Sequence, residues 1–124
     1  MKQLLKKIGE GFIGGPAIYL VTGENEYCQR AIRKLGYNEG DLSAAIGRNL
    51  GTTFLCGGKK VIAIVFTKKP SDGTIIHEAV HAAFFILQFA GVDGIRTDEE
   101  SCEEILAGIV EGIFSEVKRE IYAK

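Results

Sequence analysis

The chain has 124 residues, 46% hydrophobic and 25% charged, which is enough apolar material for the core of one small domain. This composition excludes disordered, collagen-like and coiled-coil proteins. Fifteen basic and sixteen acidic residues give a formal net charge of -1. That balance argues against a nucleic-acid partner, because a protein that neutralises phosphates normally carries a basic surplus. We therefore expect a single domain over residues 1–124 that binds no nucleic acid.

Cysteine usage and the lack of targeting segments indicate a compartment. Cys28, Cys56 and Cys102 are widely spaced and form no CxxC pair, which is typical of reduced thiols in a cytoplasmic protein. The apolar stretch near the N-terminus is interrupted by Glu10 and Pro16 and has no cleavage site, so it does not resemble a signal peptide. The most apolar later stretch contains two histidines and a glutamate, which argues against a membrane span.

The first third of the chain predicts one strand and one or two helices. Three lysines stand near the N-terminus: Lys2, Lys6 and Lys7. They are typical of a solvated, frayed end. A β-rich run at 17–22 predicts a strand, and residues 24–35 carry apolar or small residues at helical spacing, with Gly36 typical of a helix end. The segment 38–50 is ambiguous, with a short helix at about 42–46.

The middle of the chain predicts a hairpin followed by a helix. Residues 52–56 and 61–67 are β-branched or aromatic, and a glycine- and lysine-rich loop joins them. Because the second of these runs is apolar on both faces, we expect a strand buried on both sides. A strongly apolar helix then covers 74–90, with Ser71 or Asp72 as its N-cap.

The last predicted element is a long helix. Residues 97–100 (Thr-Asp-Glu-Glu) fit a capping box, and the helix that they begin extends to about Tyr122. The order strand, helix, strand, strand, helix, helix predicts a small α+β domain with a three-stranded sheet.

The two histidines of the chain lie four residues apart, in His77-Glu78-Ala79-Val80-His81. On a helix, positions i and i+4 share a face, so both imidazoles can bind one metal ion. Glu78 is then close enough to face a metal-bound water and take its proton without binding the metal itself. The pattern HExxH therefore predicts a zinc site, with His77 and His81 as ligands and Glu78 as the general base.

A catalytic zinc site usually has three protein ligands, and the third is not part of this motif. Phe84 and Leu87 occupy the glycine and the last histidine of the extended HExxHxxGxxH pattern, so that pattern is not met. Since no third histidine exists, we expect a carboxylate from the final helix. Cys102 lies nearby and is a less favoured alternative.

The run HEAVH followed by Glu104-Ile105-Leu106-Ala107 resembles the small gluzincin-like metallopeptidases encoded by phages, which pair HExxH with a later E-x-x-A helix. The resemblance covers about residues 61–115. It implies a minimal zincin-like fold, a Zn²⁺ cofactor, a peptide or protein substrate, and Glu104 as the third ligand. It also implies that the strand at 61–66 borders the cleft, where an extended substrate could pair with it.

Helical periodicity alone leaves the third ligand open. Glu104 lies on a stripe of small and acidic residues that would let another helix approach closely, whereas an apolar stripe lies roughly opposite. If the apolar stripe faces the core, Glu104 is a solvated charge. Glu103, at the edge of the apolar stripe, is the second candidate.

The residues that would stabilise the oxyanion are not indicated by any motif. Four side chains have suitable chemistry: Tyr19, Tyr37, Arg96 and Tyr122. Two other functions stay open beside the zinc hydrolase. One is a catalytically degenerate zincin-like binding module with a structural zinc, and the other is a small interaction domain that binds no metal.

Overall fold

A computed structural model describes residues 1–10, 15–56, 58, 60–89 and 100–122. In chain order its elements are β1 (Leu4–Glu10), β2 (Ala17–Thr22), α1 (Asn25–Lys34), α2 (Leu42–Arg48), β3 (Thr52–Cys56), β4 (Val61–Phe66), α3 (Asp72–Phe89) and α4 (Glu100–Tyr122). Among these helices, none combines the length and the apolar character that crossing a membrane requires.

The α+β class is confirmed, but the sheet has four strands where the sequence predicts three. Their order is β1-β2-β4-β3, with β2 parallel to β4 and the other two pairs antiparallel. The predicted hairpin is present, since Cys56 pairs with Val61 across the β3–β4 loop.

The additional strand is β1. The three lysines near the N-terminus predicted a solvated, frayed end, whereas residues 4–10 form a strand. Leu4 and Ile8 pack against the core that lies beneath α3 and α4, and Lys6 donates to Glu120 Oε1 of α4 at 2.6 Å. A bulge between Lys7 and Gly9 interrupts the pairing with β2. Lysines are common on edge strands because they discourage pairing with other chains. In β1, Lys6 and Lys7 interrupt the alternation of polar and apolar residues by which a strand is recognised in a sequence.

Helices cover both faces of the sheet. Ile62, Ile64 and Phe66 of β4 pack against the α3 side, whereas Val61 and Ala63 face α1 and α2. The prediction that β4 is buried on both sides is therefore confirmed. Because β4 pairs with β2 on one side and β3 on the other, the expectation that a substrate strand pairs with it is wrong.

Local signals fix the end of α1 and the start of α3 as predicted, whereas the cap of α2 was not predicted. Gly36 follows α1 with φ of 104°, a conformation that glycine adopts without the steric cost of a side chain. Asp41 caps α2 by accepting from Ala44 N, and Ser71 Oγ accepts from Thr74 N at the start of α3. The capping box expected at 97–100 lies outside the described residues, except for the backbone of Glu100 in α4.

The two long helices pack antiparallel. Lys118, near the end of α4, places its Nζ atom 3.1 Å from Asp72 Oδ2 at the start of α3. Ile86, near the end of α3, lines the same cavity as Ile109 and Ile113 in the middle of α4. Ile113 and Val117 are buried, so the apolar stripe of α4 faces the core. The rotation of α4 about its axis is thereby set by apolar burial.

Candidate metal centre

The two imidazoles meet on the exposed face of α3. His77 Nε2 and His81 Nε2 are 3.2 Å apart, and the ring centroids are 4.8 Å apart with an interplanar angle of 81°. The opposite face of the helix is buried through Ile75, Ala79 and Ala82. The helix thus brings the predicted histidine pair together and presents its ring nitrogens to a common point.

The separation of these nitrogens fits a shared zinc ion. Two Zn–N bonds of about 2.0–2.1 Å at a tetrahedral angle place the nitrogens roughly 3.4 Å apart. The observed 3.2 Å is close to that value. In the absence of a metal, the same distance fits a single N–H···N hydrogen bond between the two rings.

Glu78 is buried beside the pair and held by a neighbouring strand. Its residue is 4% exposed, and Thr53 Oγ1 of β3 lies 2.7 Å from Glu78 Oε1 and 3.2 Å from the Glu78 carbonyl oxygen. Glu78 Oε2 lies 4.0 Å from His77 Nε2. A buried polar group needs such a partner, because an unsatisfied one is costly. The carboxylate is therefore fixed with one oxygen toward β3 and the other toward the histidines.

Gly51 lets the backbone before β3 come close to this carboxylate. A Cβ at that position would lie 2.6 Å from Phe66 Cε1 and 3.0 Å from Glu78 Cγ. Phe66 is fully buried in β4 and has little room to move. A side chain at residue 51 would therefore press on Glu78. Neither Gly51 nor Thr53 was predicted from the sequence, because only the packing of β3 on α3 makes them neighbours of Glu78.

An open cavity of about 520 Å³ lies in front of the site. Besides His77 and Glu78, it is lined by Arg48, Asn49, Leu50, Gly51, Ser71, Gly73 and Thr74. Arg48 comes from the last turn of α2 and is the one cation among these residues. It has suitable chemistry for an oxyanion and was not among the predicted candidates.

The predicted third ligand does not join the histidines. Glu104 and Glu103 are both exposed on α4. In the antiparallel pair, residues 108–113 lie near Ile86, so Glu104 is displaced toward the C-terminal end of α3, away from His77. Within the described part of the chain, no three His, Cys, Asp or Glu side chains are grouped closely enough to hold a metal. The role of Glu104 stays a prediction.

The other candidates lie elsewhere or outside the described residues. Tyr19 and Tyr37 pack on the α1–α2 side of the sheet, and Tyr122 donates to the Pro70 carbonyl at 2.8 Å. Arg96 and the side chain of Cys102 fall outside the described residues. None of the three tyrosines lines the cavity in front of Glu78.

Comparison with known proteins found no match among protein-family models, curated proteins or solved structures.

Proposed function

We propose that the chain is a zinc-dependent hydrolase, and specifically a metallopeptidase. The observation that carries the proposal is the pair of Nε2 atoms 3.2 Å apart, with the buried Glu78 carboxylate 4.0 Å from the Nε2 atom of His77. In this arrangement two imidazoles on one helix turn can bind a divalent ion. The adjacent carboxylate can then take a proton from a water molecule on that ion.

Each residue then has a distinct task. His77 and His81 would hold the ion, which supplies a Lewis acid and lowers the pKa of a bound water to about 7. Glu78 Oε2, on the side of His77, accepts the proton of the attacking water and delivers it to the leaving amine. Thr53 donates to Oε1, and this hydrogen bond opposes rotation of the carboxylate away from His77. Arg48 lies in the same cavity, as the candidate that neutralises developing negative charge.

The sheet edge favours an extended peptide as the substrate. In the described sheet β3 is an edge strand, and Thr53 of this strand contacts Glu78. A peptide added along β3 by main-chain hydrogen bonds would pass close to the general base. The strand that the substrate follows is therefore β3, in place of the β4 that the sequence suggested.

The third zinc ligand is expected to be a carboxylate of α4. The resemblance of the E-x-x-A run favours Glu104, and the described position of α4 requires this helix to shift along α3 before Glu104 reaches the pair. Zinc binding through Glu104 would therefore have to displace α4 from its described packing on α3. The zinc-loaded protein should show chemical-shift changes in both helices.

The decisive experiment combines zinc analysis with peptide cleavage. Purified protein should bind about one zinc per chain, and His77→Ala and His81→Ala should each abolish this binding. Gln88→Ala, an exposed change on the same helix, is the matched control and should leave zinc binding intact. Protein that keeps its fold but takes up no zinc at neutral pH would refute the proposal.

Glu78→Gln separates the hydrolase from a structural zinc module. The amide keeps the volume of the side chain but cannot accept a proton, so the variant should retain zinc and lose cleavage of a quenched fluorescent peptide library. Glu111→Gln, at an exposed carboxylate of α4, is the control. If wild-type protein with one zinc cleaves no peptide, and Glu78→Gln is indistinguishable from it, the structural module replaces the hydrolase.

A further inference from the structure

A second cavity lies at the end of the sheet where the two parallel strands finish. It has a volume of about 590 Å³ and is lined by Met1, Lys2, Leu4, Thr22, Thr67, Lys68, Lys69, Glu120 and Ile121. Thr22 is the last residue of β2, and Thr67 directly follows β4. A volume of this size falls in the range of small-molecule sites.

The chain topology makes this end of the sheet a natural crevice. After β2 the chain continues into α1 on one face of the sheet, and after β4 it continues into α3 on the opposite face. Two adjacent parallel strands whose connections diverge in this way leave a gap at their carboxyl ends. In open α/β sheets, ligands bind at this kind of switch point.

The lining of the cavity carries an excess of positive charge. Its lining carries three lysines and one carboxylate, and that carboxylate, Glu120, is already paired with Lys6 at 2.6 Å. Within the described part of the chain, Lys2 and Lys68 form no ion pair. Three lysines line one cavity, and an anion bound between them would lower the mutual repulsion of their charges.

One of the lysines is held at its ammonium group and another at its backbone. Lys69 Nζ lies 4.2 Å from the centre of the Tyr122 ring, and Tyr122 is itself fixed by its hydrogen bond to Pro70 O. The buried Thr22 donates to the Lys2 carbonyl at 2.7 Å, which anchors the backbone of Lys2 at the cavity wall. The wall of the cavity is therefore fixed at Thr22 and at the backbone of Lys2.

We propose that this cavity binds a small organic phosphate. A phosphate monoester carries about two negative charges near neutral pH, which matches the lysine surplus, and lysine is a common phosphate ligand. The apolar side chains of Leu4 and Ile121 provide a surface for the organic part. The site is separate from the histidine pair, so it does not depend on the proposed hydrolase.

The test is a titration of ¹⁵N-labelled, metal-free protein with phenyl phosphate, inorganic phosphate and benzoate at constant ionic strength. Phenyl phosphate should give saturable shifts centred on Thr22, Thr67 and Ile121. Inorganic phosphate should bind more weakly at the same residues, and tighter binding of benzoate would identify carboxylates as the ligand class and overturn the phosphate assignment. The absence of saturable shifts up to about 10 mM, a concentration that detects even weak binding, would overturn the site.

Substitutions provide the second criterion. Lys68→Gln removes one ammonium group that makes no described contact, and it should weaken phenyl phosphate binding about tenfold while the melting temperature stays unchanged. Lys60→Gln, on the β3–β4 hairpin at the opposite end of β4, is the control and should bind as wild type. Equal weakening in both variants would show a non-specific effect of net charge and refute the proposal.

Discussion

The close approach of Gly51 to the candidate base gives a sharp prediction for Gly51→Ala. The added methyl group would lie 2.6 Å from a ring carbon of the fully buried Phe66 and 3.0 Å from Glu78 Cγ. Both distances are shorter than ordinary van der Waals contact, so at least one of the two side chains must move. Since Phe66 is enclosed within the core, we expect Glu78 to be displaced.

The magnitude follows from two opposing terms. Overpacking a core position costs about 1–3 kcal/mol, whereas replacing glycine by alanine gains about 0.4–1 kcal/mol by restricting the unfolded chain. The net loss of unfolding free energy is then about 1–2 kcal/mol. For a chain of this length, an unfolding entropy of about 2.1 cal/mol/K per residue converts this loss to a decrease in Tm of about 4–8 °C.

Thermal unfolding followed by circular dichroism measures this decrease. Gly112→Ala is the matched control, because its Cβ would meet nothing within 4 Å and it lies inside α4. In a helix that change should stabilise by about 0.5–1 kcal/mol. The reasoning fails if Gly51→Ala melts at or above the wild-type temperature, or if it retains full peptide cleavage in zinc-loaded protein.

Three further predictions concern single side chains. Thr53→Val removes the hydroxyl that donates to Glu78 and should cost about 1.5–3 kcal/mol in urea unfolding, and Thr53→Ser should restore most of it. Glu104→Gln should weaken zinc binding about tenfold or more in a competition assay and Glu103→Gln should not, whereas the reverse result would assign the third ligand to Glu103. Burial raises the pKa of the Cys28 thiol from 9.0 to about 11, so its contribution of roughly 2–3 kcal/mol is present below pH 9 and is lost as the pH rises to 11. Urea midpoints that decline equally between pH 8 and 11 in wild type and Cys28→Ala would contradict this last expectation.

The elements with a strong local pattern were predictable. Residues 17–22 and 61–66 are uniform enough in β-branched and apolar residues to read as strands, and Gly36 and Ser71 mark helix ends through their own backbone and side-chain chemistry. The histidine pair follows from helix periodicity alone, because residues four apart must share a face. No tertiary information is needed for these conclusions.

The remainder depended on contacts between distant segments. β1 forms a strand because its backbone pairs with the edge of β2 and because Lys6 pairs with a carboxylate of α4. The seven residues of β1 indicate neither of these contacts. Thr53 contacts Glu78, and Arg48 lines the same cavity as Glu78, only when β3 and α2 are placed beside α3. The rotation of α4, on which the third ligand depends, follows from burying Ile113 and Val117.

The local sequence thus specifies which ligands one helix can present, since the spacing along a helix is a property of the backbone. Which groups from other elements complete a site is decided by the packing of the whole chain. Apolar burial sets the position of every element with larger free energies than any single carboxylate or hydroxyl can contribute.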